Sequence, residues 1–368
     1  MSELLAPAGS FDSGFYALHS GADALYLGLS SFSARKAAKN FTYDEFSRIK
    51  ALAETQGKKV YAALNTVIRD DELEAVTGLL FDLAALNVDG IIVQDFGLLA
   101  ILTQFFPSIA PHASTQMAVH NAQGAQALLR AGARRLILAR ELTLEEITTI
   151  RRRVPEAELE VFIHGALCYS FSGLCLASGL LLRRSGNRGE CAQLCRSCYK
   201  DSSGDAGYFF SRPDLAAEER VLRLRDMGIA LKIEGRMKPP AWVAAVTAYY
   251  RALLDGKPRA ELEELLEKSR LIFSRASGPG FLDGSGGGQT SPLYPGHTGI
   301  FAGRTAEESR NSEFGRTPAF FRLREKTHGR ALRGFGTAAS RQYTLRVPSN
   351  PLRVGEQQFC SRKIATSP

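Results

Sequence analysis

The feature that most constrains this chain is a regular alternation of short apolar runs with helical stretches through its first 235 residues. The runs are rich in β-branched residues and number eight: 4–8, 24–29, 60–67, 90–94, 109–114, 136–140, 159–164 and 230–234. Helical stretches between them, such as 41–56, 70–86 and 142–153, predict crossovers that leave the strands parallel. Eight such units that close on themselves form an α/β fold, the TIM-like (β/α)8 barrel, which we predict here. The alternative is a doubly wound open sheet.

The predicted strands end on polar residues, and in a barrel the active site lies at these carboxyl ends. The last three strands are followed by the residues that we take as catalytic candidates: Arg140, Glu141, His164, Glu234 and Arg236. Helix capping explains acidic and hydroxyl residues at such positions, but it does not explain cations, which oppose the dipole at a helix N-terminus. Earlier strand ends carry further polar residues: Asn65, Gln94, Asp95, His112, Ser114 and Gln116.

Five of the six cysteines fall within 31 residues of a long insertion between the seventh and eighth strands: Cys168, Cys175, Cys191, Cys195 and Cys198. Their spacing, C-x6-C-x15-C-x3-C-x2-C, lacks the two close pairs of a typical structural zinc site. An iron–sulfur cluster accepts thiolates from irregular loops. We therefore favour a [4Fe–4S] cluster over zinc or unligated thiols.

The chain starts without a basic and then apolar leader and has no run of about 18 apolar residues. We therefore expect a cytoplasmic protein without membrane insertion. Disulfides are not maintained in that compartment, which is a second reason to expect metal binding or redox work from the clustered cysteines.

A segment dense in Gly, Ser and Pro at 276–297 is typical of a flexible linker. We place a barrel with its cysteine-rich insertion at 1–275 and a small basic β domain at 298–368. That last part holds 13 Lys and Arg against 5 Asp and Glu, which equals the whole formal net charge of +8. Neutralisation of phosphates favours RNA as a partner of such a tail; solubility is the alternative.

A family resemblance lies in the stretch Glu160-Val-Phe-Ile-His-Gly-Ala-Leu-Cys168-Tyr-Ser-Phe-Ser-Gly173-Leu-Cys175-Leu-Ala-Ser178, which resembles the signature of the peptidase U32 family. Segments 3–9, 21–28, 112–116, 140–142, 187–189 and 232–238 support it, so that it covers residues 1 to about 255. The resemblance implies an iron–sulfur enzyme that hydroxylates RNA, either rRNA or tRNA, or a ubiquinone precursor, without molecular oxygen. For the RNA-modifying members it implies prephenate as the oxygen donor. It also implies four cluster ligands, with Cys198 as a substitute for the last of them: Cys168, Cys175, Cys191 and Cys195.

Three functions follow from these patterns: an iron–sulfur RNA hydroxylase, a U32-type peptidase, and an RNA-binding protein with a structural cluster. A peptidase would use Cys168 as nucleophile and His164 as base, but this leaves four clustered thiols unexplained, and neither H-E-x-x-H nor G-x-S-x-G occurs in the sequence. His164 also fits a core histidine or a group beside the cluster.

Two arginines at one barrel mouth, Arg140 and Arg236, predict a site for a small carboxylate co-substrate such as prephenate. The alternative is that both arginines form salt bridges with neighbouring glutamates, Glu141 and Glu234.

Overall fold

The computed structural model describes residues 2–35, 38–273 and 275–284, together with the backbone of three strands further along the chain. The chain divides into two units, Met1–Leu266 with Ala276–Pro295 and Glu267–Arg275 with Gly296–Pro368. The first unit contains the barrel, and the second contains the three C-terminal strands. No helix among the described residues is long and apolar enough to cross a membrane.

Within the described residues, strands occur at β1 (Leu4–Ala8), β2 (Ala24–Leu27), β3 (Lys59–Leu64), β4 (Gly90–Val93), β5 (Ala110–Ala113), β6 (Arg135–Ile137), β7 (Glu158–Gly165), β8 (Tyr199–Lys200), β9 (Ala206–Gly207), β10 (Asp214–Ala216), β11 (Ala230–Ile233), β12 (Ser277–Gly278), β13 (Arg304–Glu308), β14 (Ala319–Arg324) and β15 (Ala331–Gly336). Strands β1 to β7 pair in order and in parallel, and β11 pairs in parallel with both β7 and β1. This closure confirms the predicted (β/α)8 barrel and excludes the open sheet.

Helices follow the strands at α1 (Phe11–His19), α2 (Tyr43–Thr55), α3 (Leu73–Ala85), α4 (Phe96–Phe105), α5 (Ala122–Arg130), α6 (Leu144–Arg153), α7 (Ala177–Leu182), α8 (Arg220–Asp226), α9 (Pro240–Leu254) and α10 (Arg259–Ile272). Polar side chains cap the N-termini of several of these helices. Thr42 with Glu45, and Thr143 with Glu146, form capping boxes, and Asp95 accepts a hydrogen bond from the Leu98 N–H. These caps set where each helix leaves the mouth of the barrel.

Two strands end three residues earlier than the sequence predicts. The third run was expected to reach residue 67 and the sixth to reach 140, but β3 ends at Leu64 and β6 at Ile137. Asn65 and Arg140 therefore lie in the loops at the mouth, which gives their side chains more reach than strand positions would allow.

The insertion between β7 and β11 contains α7 and a short hairpin of β8 with β9. Its end, β10, pairs antiparallel with β7 and parallel with β12. Strand β12 lies inside the segment expected to be a linker. The assignment of 1–275, 276–297 and 298–368 to separate parts stays a prediction. In the second unit, β14 pairs antiparallel with β13 and β15.

A charged group fills the centre of the barrel, where branched apolar side chains are usual. We call it the central network: Glu3, Arg135, Glu160 and Lys232. Glu160 is fully buried, and it accepts hydrogen bonds from Lys232 Nζ at 2.6 Å and from Arg135 Nη1 at 3.3 Å. Arg135 also pairs with Glu3. Two cations and two carboxylates thus balance one another and tie four strands together.

Candidate functional site

The cysteine-rich insertion is fastened across the carboxyl ends of the barrel strands. Arg188 donates to the Val67 carbonyl at 2.7 Å and to Glu72 at 2.8 Å. Gly173 has a φ of +79°, and a Cβ built there would lie 2.0 Å from the Gln116 carbonyl oxygen. A side chain at this position would therefore collide with the loop after β5. Only glycine permits so close an approach, so the insertion covers the mouth.

Three cysteines of the insertion, Cys168, Cys191 and Cys195, lie near enough to interact electrostatically, and the backbone of a fourth, Cys175, lies near Cys191. Burial raises the pKa of the Cys195 thiol, and the neighbouring thiols of Cys168 and Cys191 raise it further. The Cβ of Cys191 and the carbonyl oxygen of Cys175 each lie 3.9 Å from the position of a Cβ on Gly186. A raised pKa means that the Cys195 thiol stays protonated until a metal displaces its proton.

No three His, Cys, Asp or Glu side chains in the described part of the chain are arranged to hold a single metal ion. In a [4Fe–4S] cluster each thiolate binds a different iron, so the ligands of a cubane stand further apart than those of one ion. Neighbouring thiols in an irregular loop suit such a cluster. These donors are compatible with the group that the sequence predicts, and its presence stays a prediction.

Glu234 lies at the mouth among several cations, and its side chain is 13% exposed. Burial raises the pKa of Glu234, but Arg35, Arg236 and Arg140 outweigh it, and the pKa ends below its usual range. The Arg35 Nη2 lies 3.5 Å from Glu234 Oε1, and the Tyr26 hydroxyl donates to Glu234 Oε2 at 3.5 Å. Glu234 is therefore ionised at neutral pH.

Arg236 is buried, with 5% of the residue exposed, and it donates to the Ser33 hydroxyl at 2.9 Å. Burial lowers the pKa of Arg236 to about 10, repulsion from Arg35 contributes in the same direction, and Glu234 only partly offsets them. Gly28 leaves room for this guanidinium, since a Cβ there would lie 2.3 Å from Nη1. A buried cation held against another cation favours the binding of an anion.

The two neighbours Arg140 and Glu141 share one partner, the Ser172 hydroxyl, to which the Arg140 Nε donates at 3.5 Å. Glu141 accepts hydrogen bonds from the backbone N–H of Ser172 at 2.8 Å and from its hydroxyl at 2.9 Å, and it also contacts His120. Burial raises the pKa of Glu141, but these hydrogen bonds more than offset it, and the net shift is downward. Glu141 thus holds the insertion in place. Arg140 lies over the Phe162 ring, and its charge lowers the pKa of Glu234.

His164 faces the helix layer. Its Nδ1 lies 3.0 Å from the Tyr250 hydroxyl, and its ring centroid lies 5.6 Å from that of Trp242, both on α9. The pairing of β7 with β11 shifts register so that Ile233 pairs with His164 and Ile163 is the extra residue. A bulge of one residue moves the next side chain to the other face of a strand. The sequence pattern gave no sign of this bulge. The His164 ring therefore packs on α9, while the His164 carbonyl accepts a hydrogen bond from the Glu234 backbone N–H at 2.8 Å.

Two residues of the mouth were missed from the sequence, Arg35 and Lys238. Arg35 interacts with Glu234 and also with the Cys168 and Cys191 thiols. Burial lowers the pKa of Lys238 to about 7, and Glu234 partly opposes this. We call the resulting set the mouth cluster: Arg35, Arg140, Glu234, Arg236 and Lys238. Lys238 lies in the segment 232–238, which supports the family resemblance, so the sequence offered a signal for it. Arg35 lies in an irregular loop without periodicity.

Neutral amides form another wall of the mouth. Asn65 Nδ2 donates to Gln116 Oε1 at 2.8 Å, and Gln116 Nε2 donates to Gln94 Oε1 at 2.7 Å. The predicted strand-end residues thus meet as expected for a barrel. His112 differs, because it is buried inside the barrel against Tyr61, and burial holds its pKa well below the usual range.

The fold and this site define a (β/α)8 barrel whose mouth is covered by a cysteine-rich insertion. The family model for peptidase family U32 matches residues 9–291. The chain belongs to the peptidase U32 family.

Three curated relatives give the range of names in this family. The chain is 39% identical over 260 residues to the 23S rRNA 5-hydroxycytidine C2501 synthase of Escherichia coli, covering 69% of this chain and 39% of that protein. It is 34% identical over 300 residues to tRNA hydroxylation protein P of Helicobacter pylori, covering 77% and 71%. It is 30% identical over 307 residues to a collagenase of Porphyromonas gingivalis, covering 77% and 72%. The chain spans well under half of the E. coli protein.

Proposed function

We propose that this protein is an iron–sulfur enzyme that hydroxylates a base of rRNA or tRNA without molecular oxygen, with prephenate as the oxygen donor. Relatives named as RNA hydroxylation proteins, at 39% and 34% identity, support the reaction. The observation that carries the proposal is the mouth cluster, in which four cations surround one carboxylate beneath a cysteine-rich cover.

Cys168, Cys175, Cys191 and Cys195 would hold the cluster, which supplies one-electron transfer when it is bound. The protein places positive charge beside these thiols. Arg35 interacts with Cys168 and Cys191, so it offsets the negative charge that several thiolates bring into a half-buried site.

The cations of the mouth cluster suit a donor with two carboxylates. Arg236 and Arg140 are not paired through short contacts with Glu234, and guanidinium groups bind carboxylates in a forked geometry. Glu234 holds Arg35 at 3.5 Å and so keeps that guanidinium from turning into solvent. The amides of Asn65 and Gln116 add neutral donors and acceptors that would orient the donor without changing the charge.

A peptidase is the second candidate, because one relative is named a collagenase. The geometry gives this candidate less support, since the Nδ1 of His164 lies 3.0 Å from the Tyr250 hydroxyl of α9. Hydroxylation of a ubiquinone precursor is a further alternative within the hydroxylase class, and it would use the same mouth cluster.

The test is a reaction of anaerobically reconstituted protein with prephenate and RNA from a strain that lacks this gene, followed by mass spectrometry of the nucleosides. We expect one nucleoside to gain a single oxygen atom, and we expect no gain when prephenate is omitted. A protein that carries its cluster, leaves the RNA unchanged and cleaves a collagen peptide would contradict the proposal.

A further inference from the structure

The insertion exposes an unusual number of aromatic rings near the cysteines. We call these residues the aromatic rim: Tyr169, Phe171, Phe209 and Phe210. Their exposed fractions are 45%, 63%, 36% and 38%. Exposed apolar side chains of this size mark an interaction site more often than a packing defect.

Three of the four rings of the rim pack against other rings, namely Tyr169, Phe171 and Phe210. Tyr169 and Tyr199 each make an edge contact with Phe210, at centroid distances of 5.2 Å and 5.1 Å, and the Tyr199 hydroxyl donates to the Leu194 carbonyl at 2.8 Å. Phe171 lies 5.8 Å from the His120 ring. Rings that are already ordered lose little conformational entropy on binding, so they suit a partner with flat faces.

The chemistry around the rim is cationic. The insertion from 166 to 213 carries six Lys and Arg against three Asp and Glu, and Arg183, Arg184 and Lys200 among them are exposed. A partner that offers flat rings together with negative charge matches this combination. An unpaired stretch of RNA offers both, because its bases stack on aromatic rings and its phosphates attract arginine.

The rim is also continuous with the proposed reaction site. Tyr169 follows Cys168, and its backbone N–H donates to the Cys195 thiol. Phe171 precedes Ser172, whose hydroxyl lies 3.3 Å from the Arg140 backbone nitrogen and 2.9 Å from Glu141. A base stacked here therefore lies beside both the cysteines and the mouth.

We propose that the aromatic rim is the surface on which an unpaired segment of the substrate RNA stacks, with Phe171 as its main contact. This inference rests on the proposed function because it takes RNA as the substrate. It goes beyond that function because it says which surface selects unpaired over paired RNA.

The test compares Phe171→Ala with Phe105→Ala in the full-length holoprotein. Phe105 ends α4 and is 65% exposed, close to the 63% of Phe171, but helix α4 leads away from the mouth, so Phe105 lies near the opposite end of the barrel. Fluorescence anisotropy measures binding of a non-self-complementary oligonucleotide of about 12 nucleotides and of its duplex.

We expect Phe171→Ala to weaken binding of the single strand by about tenfold, with little effect on the duplex, while Phe171→Trp and Phe105→Ala bind as the wild type does. Equal affinity of Phe171→Ala and wild type for the single strand would overturn the proposal. So would an equal loss for single strand and duplex. Sedimentation velocity adds a further test, because a change of oligomeric state in Phe171→Ala would make the rim a protein interface.

The two proposals fail separately. If the wild type modifies no RNA but Phe171→Ala still weakens single-strand binding, only the proposed reaction is wrong. If RNA is hydroxylated and Phe171→Ala binds it normally, only the assignment of the rim is wrong.

Discussion

The central network and the mouth cluster lie in one barrel and share the same residue types, but their charges are balanced differently. In the central network, two carboxylates face two cations at short distances. In the mouth cluster, one carboxylate faces four cations, and burial together with repulsion depresses the pKa of Arg236. A balanced buried network defines the pairing of its strands. In an unbalanced cluster the cations repel one another, and a bound anion relieves this repulsion.

The largest expected effect concerns the cysteines that cover the mouth. Cys168→Ser should abolish the cluster, because an alkoxide replaces a thiolate poorly as an iron ligand. Iron content and visible absorbance of anaerobically purified protein measure the loss. Cys198→Ser is the matched control and should keep the cluster. Loss of the cluster in Cys198→Ser, with retention in a Cys195→Ser protein, would show that Cys198 is the fourth ligand.

The next largest effect is a difference in stability between variants of two arginines that are equally buried, Arg135 at 6% exposure and Arg236 at 5%. Arg135→Gln should lower the free energy of unfolding by about 3–5 kcal/mol, because it leaves buried carboxylates short of a partner. Arg236→Gln should change it by no more than about 1 kcal/mol, since a lost hydrogen bond is offset by relief of repulsion. Chemical denaturation at neutral pH measures both. Equal destabilisation by the two variants would mean that the mouth is as structural as the centre.

The strands of the second unit give a smaller, graded effect. Arg322 and Arg333 are cross-strand partners in β14 and β15. If the basic tail contacts RNA, replacing both with Gln should lower the slope of log affinity against log salt by about 1.4, from about 0.7 for each contact with a single strand. An unchanged slope in a salt titration would reject a role for these two residues and favour solubility as the reason for the basic charge.

The smallest effect is a pH dependence from Lys238. Its pKa of about 7 lies below the ordinary value of 10.5, so the charged form opposes folding and its neutralisation above about pH 7 adds stability. Anion binding depends on pH in the opposite direction from stability. The affinity for an anion should weaken a few-fold as the pH rises through about 7, because one cation is lost. In Lys238→Met this step should disappear. A step that persists in that variant would assign it to another group.

Much of this fold could be predicted from the sequence, because the spacing of apolar residues indicates which segments are buried strands and which are helices. All eight barrel strands overlap the runs that alternate with helical stretches, and polar residues such as Asn65 and Gln116 meet because parallel strands share one carboxyl edge. What could not be predicted depends on local irregularity. The bulge at Ile163 turns His164 to α9, and Arg35 reaches the mouth from a loop without any periodic pattern.

The mouth cluster also shows why neighbouring residues can differ in role. Arg140 and Glu141 are adjacent in the sequence, and either a salt bridge or a shared site was an open expectation. The structure joins both residues to Ser172, but Glu141 also pairs with His120, whereas Arg140 also lowers the pKa of Glu234. Which of the two faces the mouth depends on where the insertion returns, and that long-range contact has no signature in the local sequence.

The most direct test of the unbalanced mouth is calorimetric titration of the anaerobically reconstituted protein with prephenate, in wild type and in Arg236→Gln. If the mouth cluster binds a small dicarboxylate, the wild type binds prephenate and Arg236→Gln binds it at least about tenfold more weakly, because a charged hydrogen bond in a buried site contributes about 1.5–3 kcal/mol. Cluster absorbance in both proteins ensures that the comparison concerns the donor alone. Equal affinity in the two proteins would contradict the claim that the excess positive charge at the mouth serves an anionic donor.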